Sequence, residues 1–306
     1  MAHLTAKEQY HMNNKVKVAI IGSGNIGTDL LKKTMRSPYL ECTLFVGRNP
    51  ESRGMVTARE LGVHVSDQQI DALIEHASMY DIVFDATTAY SHIQHEKILR
   101  GLGKFVIDMT PSKIGAMCVP AVNLHECLTL DNVNMVTCGG QASVPVAYAV
   151  GQSHSQVDYI EVVSSIASMS AGPGTRSNLD EYIETTEEAI KKFSGARRAK
   201  AILNLNPAEP CVDMQTTVYA KVHDPDLNTL KEHLDRIIST IQAYVPGYQL
   251  IIPPSIEDGR VVVMVKVEGA GDFLPKYAGN LDIINCAAIA IAEKYAFKLT
   301  GIERGA

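Results

Sequence analysis

The stretch Val16-Lys-Val-Ala-Ile-Ile-Gly22-Ser-Gly24-Asn-Ile-Gly27 decides the fold of the first half of this chain. Its apolar beginning predicts a buried parallel β-strand, and the glycines that follow predict a tight turn into a helix. A G-x-G-x-x-G motif in this position is typical of dinucleotide-binding domains. Gly22 permits the turn, Gly24 lets the backbone approach a pyrophosphate, and Gly27 permits close packing of helix on strand. A tight glycine turn without a ligand is the alternative interpretation.

Strands and helices alternate around this motif. The predicted strands are Val16–Ile21, Cys42–Val46, Val63–Val65, Asp81–Asp85 and Lys104–Asp108. The predicted helices are Ile26–Arg36, Ser52–Leu61, Asp67–Ala77 and Ser91–Leu102. This alternation predicts an α/β fold with a Rossmann-type doubly wound parallel sheet over residues 15–137.

The second half of the chain has longer strand candidates and fewer helices. The predicted strands are Asp158–Met169, Ala201–Asn204, Thr216–Val222 and Arg260–Val267, and the predicted helices are Leu179–Phe193 and Leu227–Ala243. We expect an α+β domain over residues 138–275 with an open, largely antiparallel sheet. An Ala-rich helix at about Leu281–Leu299, within residues 276–306, is expected to pack back on the first domain, and residues 1–14 form a polar extension.

Composition and charge exclude several classes of protein. The 306 residues carry a net charge of −6, which argues against nucleic acid or an anionic membrane as the main partner. No apolar run approaches the roughly 20 residues that cross a bilayer, and the N-terminus has no hydrophobic centre of a secretory signal, so we expect a cytoplasmic protein. The six cysteines show neither CxxC pairs nor a metal-type spacing with histidine. We therefore expect free thiols and no metal site.

Cys138 has the sequence context of a nucleophile. The pattern predicts a strand at Val133–Thr137, then Cys138-Gly-Gly-Gln, then a helix at Val144–Val150. A thiol between a strand end and a helix N-terminus is well placed for chemistry, because the helix dipole favours thiolate and nearby backbone N–H groups can stabilise an oxyanion. Cys42 in a strand and Cys286 on the apolar terminal helix are better explained by core packing.

The end of the second predicted strand bears on the choice between NAD and NADP. NAD-specific sheets usually place an acidic residue there to bind the ribose 2′-hydroxyl, whereas this chain has Arg48 and Asn49. Arg48, helped by Arg53, could bind a 2′-phosphate. A solvated loop position for Arg48 is the alternative, and NADP use is a hypothesis.

Eight segments of the chain resemble one family, the acylating acetaldehyde dehydrogenases, which are partners of 4-hydroxy-2-oxovalerate aldolases in the catabolism of aromatic compounds. The segments are KVAIIGSGNIGTDL, DIVFDAT, CVPAVNL, VNMVTCGGQAS, SIASMSAGPGTRSNLDEYIETT, LNPAEP, AYVPGY and LPKYAGNLDI. They cover nearly the whole chain from Lys15 onward, and CGGQ and SAGPGTRSN are the most specific of them.

The resemblance implies roles for individual residues. Cys138 matches the thioester-forming cysteine, and Asn280 matches an asparagine at the nicotinamide end of the cofactor. The pyrophosphate turn matches Ser23, Gly24, Asn25 and Ile26. A second stretch near the cofactor matches Ser170, Ala171, Gly172, Pro173, Gly174, Thr175, Arg176, Ser177 and Asn178. From the residues alone, this second stretch would be interpreted as a loop between a strand and a capped helix, and Asn280 as a turn residue.

The family's chemistry would make this chain an oxidoreductase that converts a short aldehyde to acyl-CoA. The thiolate of Cys138 would attack the aldehyde, hydride would pass to NAD or NADP, and coenzyme A would accept the acyl group. The resemblance also implies homodimer contacts and an aldolase partner. Two alternatives stay open: a semialdehyde or phosphorylating dehydrogenase of the same fold, and a non-catalytic cofactor-binding subunit.

Three positions depart from the family pattern. Thr216 occupies the position where the family usually has an acidic residue that helps to activate the thiol, which leaves Asp213 as a substitute candidate on the opposite strand face. Arg48-Asn49 stands where the family has Ile-Asp, and the stretch Leu250–Val263 is shorter than its counterpart.

Overall fold

The computed structural model describes residues 15–301, so the predicted polar extension 1–14 lies outside the described residues. The chain divides into two compact units. Of the described residues, the first unit contains 15–116, 125–133 and 288–301, and the second contains 117–124 and 134–287. The sequence placed boundaries at 137/138 and 275/276 instead. The last boundary of the structure, at 287/288, lies inside one continuous helix, which contributes residues to both units.

The first half of the chain forms a seven-stranded sheet whose strand order is β3-β2-β1-β4-β5-β7-β6. The strands are β1 Val16–Ile21, β2 Leu40–Val46, β3 His64–Ser66, β4 Ile82–Asp85, β5 Phe105–Asp108, β6 Ala116–Met117 and β7 Asn132–Asn134. The helices are α1 Asn25–Arg36, α2 Arg53–Glu60, α3 Gln69–Glu75, α4 Ala89–Gly101 and α5 Pro120–Cys127. The pairs from β3 to β5 are parallel. The strand order reverses between β1 and β4, which confirms the predicted Rossmann-type doubly wound sheet.

The second unit contains a five-stranded sheet of order β11-β12-β10-β8-β9. Its strands are β8 Val157–Ala167, β9 Arg198–Asn206, β10 Met214–Val222, β11 Tyr248–Glu257 and β12 Arg260–Val267. The remaining helices are α6 Cys138–Ser153, α7 Pro173–Ser177, α8 Leu179–Ser194, α9 Leu227–Gln242 and α10 Gly279–Thr300. Three pairs are antiparallel and the β8–β9 pair is parallel. This arrangement confirms the predicted α+β unit with a largely antiparallel sheet.

Strand β11 was not predicted from the sequence. It contains Pro253 and Pro254, which argue against an interior strand because proline cannot donate to a sheet. The structure places β11 at the sheet edge, where it pairs with β12 alone and its register shifts. The short stretch Leu250–Val263 is thus part of a hairpin that turns tightly at Asp258 and Gly259, both with positive φ.

No helix within residues 15–301 is both long enough and apolar enough to cross a membrane. All six cysteines are free thiols, four of them buried.

Candidate active site

The glycine turn after β1 is fixed by its packing. Gly22 has a backbone φ of 114°, which residues other than glycine rarely adopt. An added Cβ would also overlap the Ala86 carbonyl oxygen. An added Cβ on Gly27 would overlap the Gly22 carbonyl oxygen. Behind the turn, the Ser52 hydroxyl donates a hydrogen bond to Ser23 Oγ at 2.9 Å. The backbone of the loop is therefore held in one conformation before any ligand arrives.

The N-terminus of α1 is open at its tip. Gly24 and Asn25 are exposed, and an added Cβ on Gly24 would meet empty space. Gly24 provides no side-chain cap and the first turn holds no acidic residue. The backbone N–H groups in the first turn of a helix have no partner within the helix, and an exposed, uncapped terminus of this kind suits an anion.

The residues after β2 do not decide between NAD and NADP. Arg48 and Arg53 are both exposed. Asn49 forms a local turn, since its Oδ1 accepts from the Glu51 N–H at 3.0 Å and its carbonyl accepts from the Ser52 N–H at 3.0 Å.

A buried polar cluster, which was not predicted from the sequence, lies at the ends of β4 and β5. Asp85, at the end of β4, accepts hydrogen bonds from His92 Nδ1 at 2.8 Å and His95 Nδ1 at 2.9 Å. His92 Nε2 lies 3.4 Å from Asp108 Oδ2, at the end of β5. The i,i+3 spacing of the two histidines on α4 was a signal that they share one helix face.

The cluster shifts the ionisation of its members. Burial opposes the charge on Asp85, but the hydrogen bonds from His92 and His95 outweigh burial and lower its pKa below the usual range. Burial also opposes the charge on His92, yet its bond to Asp85 and the nearby Asp108 raise its pKa. For Asp108, burial dominates and raises the pKa to about 6.

Cys138 is the first residue of helix α6, which corrects the prediction of a helix from Val144. The predicted strand Val133–Thr137 is also too long, because β7 ends at Asn134 and Val136 has a left-handed φ of 62°. Thr137 then caps the helix by accepting the Gly140 N–H at 2.8 Å. The thiol therefore lies in the first turn of the helix rather than ahead of it.

The Cys138 thiol faces the hydroxyl of a buried tyrosine. Its Sγ donates a hydrogen bond to Tyr182 Oη at 3.7 Å, and Cys138 is only 9% exposed. Burial raises the pKa of the thiol, whereas the Tyr182 hydroxyl and the Gly139 N–H partly offset that rise.

The two glycines after Cys138 leave room for neighbouring side chains. An added Cβ on Gly139 would overlap the Tyr182 hydroxyl and lie 3.4 Å from Ser164 Oγ. An added Cβ on Gly140 would lie 2.6 Å from a Val136 methyl group. Cys138-Gly-Gly-Gln was predicted to precede the helix. The structure places it in the first turn, where neighbouring side chains leave no space for a Cβ on either glycine.

Gln141 ties the start of α6 to two neighbouring segments. Its Nε2 donates to the Cys118 carbonyl at 2.7 Å and the Met135 carbonyl at 2.8 Å. Gln141 is 2% exposed. It therefore fixes the backbone on which Cys138 lies, a role that no sequence pattern indicated.

Thr216, at the position where the resemblance implies an acidic residue, contacts another hydroxyl. Thr216 is buried, and its Oγ1 lies 3.0 Å from Ser164 Oγ. Asp213 precedes β10 and its carboxylate lies 3.4 Å from Lys266 Nζ, in a half-buried ion pair. The structure thus brings Asp213 to Lys266 and brings Tyr182 to the thiol. A role for Asp213 at the thiol stays a prediction.

The segment 170–178 is more ordered than the predicted loop. A 3₁₀ turn at Ser168–Ser170 leads into α7, and Arg176 Nε donates to the Ala171 carbonyl at 3.0 Å. Asn178 Nδ2 donates to the Gly174 carbonyl at 2.6 Å. The segment is therefore held by bonds within itself.

Asn280 lies in the first turn of α10 and is fully buried. Among the described residues, neither its Oδ1 nor its Nδ2 has a hydrogen-bond partner. The preceding Gly279 packs so closely that an added Cβ would overlap the Val267 carbonyl oxygen. A buried carboxamide with both polar atoms unsatisfied is costly unless a ligand or a water molecule bonds to it.

Two family models match the chain. The model described as prokaryotic acetaldehyde dehydrogenase, dimerisation, matches residues 138–275. The model described as semialdehyde dehydrogenase, NAD binding domain, matches residues 17–128.

Several curated proteins are similar along nearly their whole length. Acetaldehyde dehydrogenase from Pectobacterium atrosepticum is 58% identical over 285 residues, covering 92% of this chain and 96% of the relative. The enzymes of the same name from Spirochaeta aurantia and Geobacillus stearothermophilus are 59% and 49% identical, covering 92% of this chain and 95% and 97% of the relatives.

One solved structure with a similar fold is aspartate semialdehyde dehydrogenase II from Vibrio cholerae. Its TM-score is 0.64 at 13% identity, with 94% of this chain and all of that chain covered. At this identity the likeness shows the fold alone.

Proposed function

Because the chain belongs to the acetaldehyde dehydrogenase family, we propose that it oxidises acetaldehyde or another short aldehyde through a thioester on Cys138 and transfers the acyl group to coenzyme A. The observation that carries this proposal is the Cys138 thiol in the capped first turn of α6, in hydrogen-bond contact with Tyr182. Family membership rests on relatives 58% and 59% identical over nearly their full length.

The residues present fit a nicotinamide dinucleotide. The open N-terminus of α1, with Gly24 at its tip, suits a pyrophosphate. The unsatisfied carboxamide of Asn280 suits a ligand that both donates and accepts hydrogen bonds, as the nicotinamide carboxamide does. We assign the segment 170–178 to the same cofactor. When bound, NAD supplies the two-electron oxidant that accepts a hydride from the substrate carbon.

Cys138 carries the covalent chemistry in this proposal. The thiol loses its proton to solvent, a sulfur lone pair forms the C–S bond to the aldehyde carbon, and the carbonyl π-electrons move to oxygen. The N–H groups in the first turn of α6 and the helix dipole stabilise the negative charge on sulfur and oxygen. After the carbon has been oxidised, its C=O bond re-forms and Sγ holds the acyl group as a thioester.

Acyl transfer regenerates the thiolate. The thiol of coenzyme A loses its proton to solvent and its sulfur attacks the thioester carbon. A new C–S bond forms, and Cys138 Sγ leaves with its bonding electrons. The burial of Cys138 protects the thioester from water, which would otherwise release a free acid.

An acceptor assay tests the reaction type. We expect aldehyde and NAD to give acyl-CoA when coenzyme A is present, and no acyl phosphate when phosphate replaces it. Acyl phosphate as the main product would establish the phosphorylating alternative. Running the assay with NADP also tests the Arg48 hypothesis, which a strong preference for NAD would contradict.

The dimerisation model that matches residues 138–275 supports contacts between two copies of the chain. We also propose a 4-hydroxy-2-oxovalerate aldolase as a partner and the cytoplasm as the location, both from the family resemblance. Copurification with such an aldolase would support the first, and full activity of the isolated protein, with no aldolase bound at any stage of purification, would argue against it.

A further inference from the structure

Helix α8 braces the first turn of α6 with two side chains that lie one helical turn apart. Tyr182 Oη meets Cys138 Sγ at 3.7 Å, and Thr186 Oγ1 meets Thr137 Oγ1 at 2.7 Å. Thr186 Oγ1 also donates to the Tyr182 carbonyl at 2.7 Å, so the two side chains share one face of α8. Tyr182 is 7% exposed. The contact with the thiol is therefore held by packing and is not a surface encounter.

Besides Tyr182, the side chains nearest Gly139 and Gly140 are those of Ser164, Val136 and Thr137, which carry no charge. Ser164 of β8, near Gly139, is bonded to Thr216 of β10. Lys266 of β12 lies beside Asp213. The buried residues of α9, which also packs on α6, are apolar: Leu230, Leu234, Ile237, Ile238 and Ile241. Within residues 15–301, Tyr182 is the titratable side chain that the structure places in hydrogen-bond contact with the thiol.

From this geometry we propose that Tyr182 is a catalytic residue that activates Cys138 by donating its hydroxyl hydrogen to the thiolate. The proposal rests on the proposed function, in which Cys138 is the nucleophile. While the thiol is protonated it donates to Tyr182 Oη. When the thiol proton leaves to solvent, the direction of the bond reverses and the Tyr182 hydroxyl donates to the thiolate, with the tyrosine proton staying on its oxygen. Burial raises the pKa of Tyr182 well above its usual value, so the phenol remains a donor at neutral pH.

The size of the effect follows from the strength of a hydrogen bond to a charged group. Such bonds contribute about 1.5–3 kcal/mol, which corresponds to about one to two pH units in the ionisation of the thiol. Removing the hydroxyl should therefore move the thiol pKa upward by about that amount.

The experiment compares the pH dependence of thiol alkylation in wild type and Tyr182→Phe. The rate of iodoacetamide addition to Cys138 is measured on the whole protein by mass spectrometry of the peptide that contains it. This readout needs neither aldehyde nor cofactor. We expect the pH profile of Tyr182→Phe to shift upward by about one to two units.

Tyr248→Phe is the matched control. Tyr248 is also fully buried, and its hydroxyl donates to the Ala142 carbonyl in the same helix at 2.8 Å, away from the thiol. Its alkylation profile should stay that of wild type. An unchanged profile for Tyr182→Phe, or an equal shift in both variants, would overturn the proposal.

A measurement on the wild-type protein covers the case in which Tyr182→Phe does not fold. Thiol ionisation is followed over pH together with tyrosinate absorbance, with Cys138→Ala as the blank. We expect the thiolate to form without tyrosinate. Tyrosinate that forms together with the thiolate would show Tyr182 giving up its proton and would contradict the donor role.

The two proposals can fail separately. If the alkylation profile shifts but no acyl group ever forms on Cys138, the proposed function is wrong and the Tyr182 contact still controls thiol ionisation. If acylation proceeds normally and the profile does not shift, the role of Tyr182 is wrong.

Discussion

The N-termini of helices α1 and α6, one in each unit, differ in burial and in capping. The N-terminus of α1 is exposed, has no side-chain cap and ends in Gly24 with open space around it. The N-terminus of α6 is buried, capped by Thr137 and occupied by Cys138. Under the proposed function, the first terminus would bind a phosphate group that a ligand brings, and the second would stabilise the charge that forms on Cys138.

The largest effect is expected from removing the Cys138 sulfur at the N-terminus of α6. We expect Cys138→Ala to lose acyl-CoA formation by a factor on the order of 10⁴ or more, because the proposed thioester forms on this sulfur. Binding of NADH, followed by fluorescence, should persist. Cys42→Ala is the control, since burial raises the pKa of the Cys42 thiol to about 12 and its loss should leave turnover nearly intact.

Two glycines of the first terminus should behave differently. Gly22→Ala places a Cβ on the Ala86 carbonyl at a positive φ, and we expect a loss of about 3 kcal/mol or more in unfolding free energy. Gly24→Ala meets no protein atom, so stability should change by less than about 1 kcal/mol while NAD binding weakens. Urea unfolding and NADH titration measure both, and equal stability losses would contradict the account.

The buried cluster at the ends of β4 and β5 predicts a pH-dependent stability. Burial raises the pKa of Asp108 from the usual 3.8 to about 6, so this carboxyl group ionises at a higher pH in the folded state than in the unfolded state. Between these values the folded state holds more protons than the unfolded state, so the contribution of Asp108 falls as pH rises. Relative to Asp108→Asn, wild type should lose about 1–3 kcal/mol from about pH 4 to about pH 6. The exposed Asp235→Asn is the control, and parallel stability curves for wild type and Asp108→Asn would refute the assignment.

The smallest expected effect is at the cap of α6. Thr137→Ala removes the acceptor for the Gly140 N–H and should cost about 1 kcal/mol in unfolding free energy. Thr137→Ala also removes the contact to Thr186, whereas Thr186→Val removes that contact and keeps the cap, so the difference between the two variants measures the cap. Equal losses in the two variants would show that the contact, and not the cap, accounts for the effect.

Much of the fold was predictable because it depends on local patterns. The apolar run before Gly22 and the alternation that follows gave the parallel sheet, and the longer strands gave the second sheet. Strand β11 was missed because Pro253 and Pro254 are tolerated only at an edge, and sequence alone does not say which strand is at the edge.

The candidate site was predicted less completely. β-Branched residues rarely adopt a left-handed φ, so the conformation of Val136, and with it the end of β7 and the start of α6, could not be predicted from the sequence. Thr137 was a recognisable N-cap signal. The contact between Cys138 and Tyr182 joins residues 44 positions apart through packing of two helices, and no periodicity reports it. Asp85 and Asp108 looked like ordinary strand ends until the fold brought them to His92.

The most direct test of the central claim is mass spectrometry of the protein after brief mixing with acetaldehyde and NAD, without coenzyme A. The account predicts an acyl group on the peptide that carries Cys138, which disappears when coenzyme A is added. Reduction of NAD with no acyl group on that peptide would contradict it.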